Sequence, residues 1–277
     1  MTPMSPSAVK PKRLVSKARP VLHRRLPPEP YAGAATLART CAVLGAVLAL
    51  LAVVLGRSGG MDPRGTLAVL GLALLSCALS IALAVWSARV IWRTGRRGTG
   101  RALAASGLAA MVLAYPALLA VRGAALPAVA DVSTDPAAPP PFSSSASAMA
   151  ARHGIAHPEG SPEAREAERR AYPMLQPVLL DLPEDEAYGL ALKAVEGRGW
   201  RVVEAVPPKG RFGAGHIDAV APTRVLALPD DVTIRIRPAS GQARVDIRSA
   251  SRFASFDFGE NAARVQALSD ELLDAAS

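Results

Sequence analysis

DDVTIRIRPASGQARVDIRS, residues 230–249, decides the fold class. Two runs that alternate apolar and polar residues flank Ser240-Gly241, the pattern of an antiparallel hairpin closed by a short glycine-containing loop. With a loop of even length, Val232, Ile234, Ile236, Val245 and Ile247 share one face and the charges take the other. That second face carries Asp231, Arg235, Arg237, Arg244, Asp246 and Arg248, with Arg252 just beyond the hairpin. Two registers satisfy the parity: one sets Arg235 opposite Asp246, the other Asp231 opposite Arg248. In either, the face compensates its own charge. One reading is a solvated ladder in which each cross-strand pair contributes roughly 0.2–1 kcal/mol. The other is a ligand-binding face built from these seven residues. Its ligand would be an anionic group such as a lipid head, a wall fragment or a protein carboxylate, because guanidinium forks grip anions in bidentate fashion.

The surrounding chain supplies the rest of a layer. QPVLLDLP predicts a strand over 176–181, followed by a helix capped at Asp181 or a neighbour and opening on Glu184, Asp185 and Glu186. Tyr188, Ala191, Leu192 and Val195 form its apolar stripe, and Gly197 and Gly199 end it. WRVVEAV (200–206) and HIDAVA (216–221) read as strands. Asp257 and Glu260 form a capping box ahead of a closing helix with the stripe Phe258, Ala262, Val265, Leu268, Leu272 and Ala276. Residues 172–277 are therefore expected to form an α+β extramembrane domain, a mostly antiparallel sheet with two helices. Residues 123–171, centred on DPAAPPPFSSSASA, read as a Pro/Ala/Ser-rich linker or as extended chain lying over a surface.

The front half differs in kind. Within 36–122, three runs without an Asp, Glu, Lys, Arg or His, about 40–56, 66–88 and 102–121, are long enough to cross a bilayer and predict an all-α bundle of three transmembrane helices. Gly45, Gly71 and Gly107 would let those helices approach closely, and Cys41 and Cys77, at different depths, should not pair. Spans free of charge argue against an ion or proton pathway.

Residues 1–130 hold sixteen Lys/Arg against two acids, whereas 131–277 hold sixteen against twenty-one, so the chain's net charge of +9 belongs entirely to its front half. The acidic back half excludes a nucleic-acid groove there. Thirteen of the sixteen front-half cations fall in the tail and the second loop, which predicts a cytoplasmic amino terminus and a C-terminal domain delivered to the opposite side. In a Gram-negative cell this is a multi-pass inner-membrane protein with a periplasmic domain. Residues 1–35, rich in Pro, Lys and Arg, predict a disordered basic tail that serves as a topology signal and whose cations could also rest on anionic lipid; the lipid bilayer is the partner expected of the spans.

Catalytic signals are sparse. Residues 123–277 contain no G-x-S-x-G elbow and no thiol. His153 and His157 have metal spacing if helical, but Gly154 and Pro158 interrupt them; two solvated linker histidines are expected. His216 and Asp218 share a strand face that could hold a metal but more often carries a solvated polar pair. KGRFGAG (209–215) lacks the following helix that a phosphate loop requires. No cofactor and no metal are expected, and no catalytic residue can be named.

Several motifs resemble a family of bacterial and plastid proteins grouped as domain of unknown function 1499. They are DVSTDP at 131–136, YPMLQP at 172–177, DDVTIRIRP at 230–238, ARVDIRSASR at 243–252 and DFGENAARV at 257–265. The resemblance implies such a domain placed after a few membrane spans, and no established activity. Between Thr223 and Asp230 the chain has RVLALP where the family often shows an aromatic-rich turn, so stacking at that turn is not expected. The function expected from all of this is an inner-membrane-anchored binding or assembly module of the cell envelope. The alternatives are an envelope hydrolase using Asp and Arg side chains and an accessory subunit of a membrane complex.

Overall fold

A computed structural model describes residues 32–277 except 128, 158–159, 210–212 and 254. The expected disordered tail lies outside the described residues save for its last four, and helix α1 already begins at Gly33. Part of the expected glycine loop, 210–212, also lies outside them.

Three helices, α1 (Gly33–Arg57), α2 (Pro63–Thr94) and α3 (Thr99–Gly123), are long and apolar enough to cross a membrane, with mean hydropathy 2.3, 2.5 and 1.9 over their best windows. Asp62 caps α2 by accepting from the Gly65 N–H, with Pro63 in the first turn, and Gly95 ends it in the left-handed region. The bundle packs through small residues: Ala35, Ala38, Ala42, Cys77, Ala84, Ala102, Ala105 and Ala109 are buried. Gly45 is the tight crossing, since a Cβ there would stand 2.5 Å from Cys77 Sγ and 2.9 Å from the Ala73 carbonyl. Gly71 and Gly107 meet nothing within 4 Å, so they do not serve the packing expected of them. Both cysteines are free.

The C-terminal domain is built on an antiparallel sheet in the order β1-β6-β5-β4-β3, with β2 also pairing β6. The strands are β1 (Asp131–Ser133), β2 (Val178–Leu180), β3 (Arg201–Val206), β4 (Gly215–Pro222), β5 (Pro229–Ala239) and β6 (Gln242–Ser251). The opening hairpin takes the register that sets Arg235 opposite Asp246. Its turn needs positive φ at both central residues, and Ser240 (50°) and Gly241 (91°) supply it.

Val232, Ile234, Ile236, Val245 and Ile247 are fully buried on the inner face. They pack against α6 (Glu184–Gly197) through Ala187, Ala191 and Val195, and against α7 (Glu260–Ala276) through Val265, Leu268 and Leu272. Pro183 precedes α6 without a side-chain cap, so Asp181 does not cap it. Asp257 does cap the closing helix, accepting from the Gly259 and Asn261 N–H groups, while Glu260 turns to the Arg224 N–H instead of completing a capping box. Phe258 leaves the stripe: it is exposed, with a φ of 56°.

Residues 123–171 are not a linker. β1 pairs with Arg248, Ser249 and Ala250 of β6. Helices α4 (Ala146–Ala151) and α5 (Pro162–Ala171) follow, each capped by a serine, Ser145 and Ser161. The physical reason is the length of β6: β2 covers only Ala243–Val245 of its edge, and the remaining backbone groups need a second partner. Val129 and Val132 join the core that results. The folded domain thus begins about forty residues earlier than the sequence pattern suggests.

The domain sits on one end of the bundle. Arg57 donates to the Arg224 carbonyl at 2.8 Å, a Cβ on Gly56 would lie 2.7 Å from the Leu226 carbonyl, and Gly123 packs under Phe256 and Phe258. RVLALP, the turn that departs from the family pattern, is therefore part of the membrane-end contact. At the opposite end the Ala32 N–H donates to the Arg97 carbonyl, which joins the amino-terminal side of α1 to the basic second loop.

Candidate functional site: a polar sheet face under a strap

The outer face of the sheet carries His216 and Asp218 on β4, Asp231, Thr233, Arg235 and Arg237 on β5, and Arg244, Asp246 and Arg248 on β6. Extended chain over 134–145 lies across it as a strap, and α4 and the segment to His157 follow. This corrects the solvated-ladder expectation: Asp231, Asp246 and Arg248 are buried, and the Arg252 side chain is only 1% exposed.

The seven candidate residues divide into three ion-paired groups. Near the hairpin tip, Asp246, 0% exposed, accepts from Arg235 (2.8 Å) and Arg244 (2.8 Å) and lies 3.1 Å from Arg237. Asp135 of the strap closes the same group on Arg244 at 2.7 Å and Arg237 at 3.3 Å. In the second group Arg248 grips Asp131 of β1 through two bonds of 2.8 and 2.6 Å and lies under the Phe142 ring, 4.8 Å from its centre. In the third, Asp231 takes a bidentate bond from Arg252 (2.9 and 2.6 Å) and sits 2.7 Å from His157 Nε2. Burial pushes the Asp231 carboxyl up, but His157 and Arg252 together outweigh it and hold the group below the ordinary range. His157 is thus a buried partner of Asp231 rather than a solvated linker residue; His153 is exposed.

The strap also explains why Pro is abundant here. Guanidinium groups only donate, so a face of arginines needs acceptors. Arg235 donates to the Ala138 carbonyl, Arg248 to that of Pro140 and Thr233 to that of Pro141. Proline offers a carbonyl with no N–H to satisfy in return. The signal was present in DPAAPPPFSSS, but composition alone did not say which surface it would cover.

Two other sites lay outside sequence reasoning, and a third was read there only as the pair His216 and Asp218, without Glu204. Glu168 on α5 is buried, accepts from the Ser133 N–H, and stands between two clefts. One, of about 550 Å³, is lined by Ser133–Ala137, Glu168, Arg169, Tyr172, Gln176 and Arg244 among others. The other, about 160 Å³, is bounded by Asp131, Glu168 and Arg248. Burial raises the Glu168 carboxyl to about 7, only partly offset by the Ser133 amide. On the inner face, Arg264 reaches Asp230 at 3.0 Å and shares Asn261 with Ser249, tying α7 to β5 and β6. Desolvation keeps Asp230 at about 6 despite that arginine. Lastly, Glu204, His216 and Asp218 bring three donor atoms within 4.8 Å of one another. The candidate arginines are thus braced by carboxylates of the same chain.

No curated protein and no solved structure matches this chain. A family profile described as a protein of unknown function (DUF1499) matches residues 131–272, starting at β1 and ending in α7. That match spans more than half of the chain and takes in the strap and every ion-paired group above, and on it the protein belongs to the DUF1499 family.

Proposed function

We propose that the protein is an inner-membrane-anchored binding or assembly module of the cell envelope, with its DUF1499 domain on the periplasmic side. The observation that carries the reading is the cleft of about 550 Å³ beside Glu168, whose rim holds Arg244 and Arg169. Arg237 (36% exposed) and Arg244 (29%) are the candidate arginines with most access to solvent, so they form the edge that meets an anionic group on an envelope protein or ligand. The excess of cations in the tail and second loop supports the orientation.

A photoreactive residue at Ala137, an exposed strap position on the cleft, tests this in living cells. The expected outcome is a discrete adduct that weakens with Arg244→Gln, and none from Glu196 on the far side. No adduct from either position would refute the reading. Alkaline phosphatase fused after Ser277 should be active and the same reporter after Gly95 inactive; the reverse overturns the orientation.

One observation favours a second reading, acid–base catalysis. A carboxyl held at about 7 in a cleft suits a general acid or base. Glu168→Gln separates the two, since it removes proton transfer while leaving adduct formation at Ala137 intact.

A further inference from the structure

We infer that Glu204, His216 and Asp218 form a binding site for a zinc-class divalent ion on the outer face of β3 and β4. The three residues come together through a backbone irregularity. Val202 pairs with Ala219, but Glu204 pairs with Asp218, so Val203 is an extra residue bulged out of β3. In a regular ladder Glu204 would oppose Ile217 and point into the apolar core. The bulge turns it onto the polar face, directly across from Asp218, with His216 two residues along on the same side of β4.

The donor atoms are disposed for an ion. His216 Nε2 lies 3.0 Å from Asp218 Oδ1, in ion-pair contact but off the line of a well-formed hydrogen bond, and neither atom has any other partner, although both are buried and the Asp218 side chain is only 3% exposed. Two groups joined by a shared proton would align along a hydrogen bond. The spacing of this pair is that of two ligands of one metal, since atoms about 2.0–2.2 Å from zinc stand roughly 3–3.5 Å apart, and the Glu204 carboxylate, within 4.8 Å of both, moves in by a rotamer adjustment to complete the set. Each carboxylate is anchored through a single oxygen and has its other one to offer. Asp218 Oδ2 accepts from Arg152 (3.0 Å) and the Ser143 N–H (2.8 Å), and Glu204 Oε2 from Ser145 Oγ (3.1 Å). That is the outer-shell support by which proteins orient metal ligands.

One imidazole with two carboxylates selects zinc-class ions over calcium or magnesium, which favour all-oxygen sets. Glu204 and Asp218 bring two negative charges to the ion, and Arg152, paired with the far oxygen of Asp218, offsets one of them, leaving a site of net charge −1. Glu204 and His216 are only partly buried, which leaves a fourth coordination position open towards solvent. The site lies away from the Glu168 cleft and stands independently of the proposed function.

Full-length protein in detergent, stripped with a chelator, is titrated with cobalt followed by its visible absorption, and then with zinc in competition. We expect one equivalent bound per chain, a loss of about 100-fold or more in affinity for His216→Ala, and at least about 10-fold for Glu204→Gln. His153→Asn, a change at an exposed histidine, leaves binding unaltered. Both test substitutions sit at partly exposed positions, and circular dichroism verifies that the fold is kept. Equal binding by wild type and His216→Ala, or no stoichiometric binding by the wild type, overturns the site. Loss with His216→Ala but not with Glu204→Gln overturns the ligand set.

Discussion

Each face of the sheet buries a set of side chains, and the two do so for different reasons. The inner face excludes water by packing: Ile217, Ile234, Ile236 and Ile247 meet the apolar stripes of α6 and α7. The outer face excludes it by pairing: Asp246, Asp231 and Arg248 are as buried as those isoleucines, held by opposite charges and by the carbonyls of a strap from some hundred residues earlier in the chain. Alternation along a strand separates the faces, but it does not say that the polar one is open. A polar face stays solvated only if nothing else in the chain needs it, and here β1 and the strap do.

The largest expected effect removes the strap. A fragment of residues 125–277 should melt cooperatively, whereas 172–277, which lacks β1, the strap and α5, should not. That fragment exposes one edge of β6 and leaves Arg248 without Asp131. Cooperative melting of the shorter fragment, followed by circular dichroism, would show that the outer face is not part of the fold.

Next in size, the two faces can be compared residue for residue. Ile234→Ala should cost about 2–5 kcal/mol through transfer and cavity terms. Asp231→Ala should cost a similar amount, about 3–5 kcal/mol, because it leaves the Arg252 guanidinium buried and unpaired. Hydrogen exchange of the β5 and β6 amides measures both. A cost below about 1 kcal/mol for Asp231→Ala would return the outer face to the status of a surface ladder.

The smallest expected effect depends on pH. Glu168 titrates at about 7 in the folded chain, above its ordinary 4.5, so the fold holds a proton that the unfolded chain has released. Its contribution is fully present below about 4.5 and is lost as pH rises through 7. Glu168→Gln should therefore be more stable than wild type at pH 8, by up to about 3 kcal/mol, and lack the decline between pH 5 and 8. Thermal melts at a series of pH values show this; parallel curves for the two proteins would place the titration elsewhere.

The membrane helices, the hairpin and its buried face, strands β2 to β6 and the two flanking helices follow from local pattern. Period, length and turn residues are properties of neighbouring positions, and burial of apolar surface turns them into structure without knowledge of distant partners. Only the tertiary structure decided the rest. Residues 123–145 have no apolar periodicity, so their place on β6 and over the arginines rests on unpaired backbone edges and unsatisfied guanidinium donors elsewhere in the chain. The register that sets Arg235 on Asp246 was one of two equal choices, and the hairpin turn, through Ser240 and Gly241, selected it. Glu204 reads as one more residue of an ordinary strand. Its meeting with His216 and Asp218 depends on one bulged residue, Val203, whose position is set by how β3 lies against β4. A one-residue shift in pairing reverses which face a side chain occupies, and no local pattern carries that information.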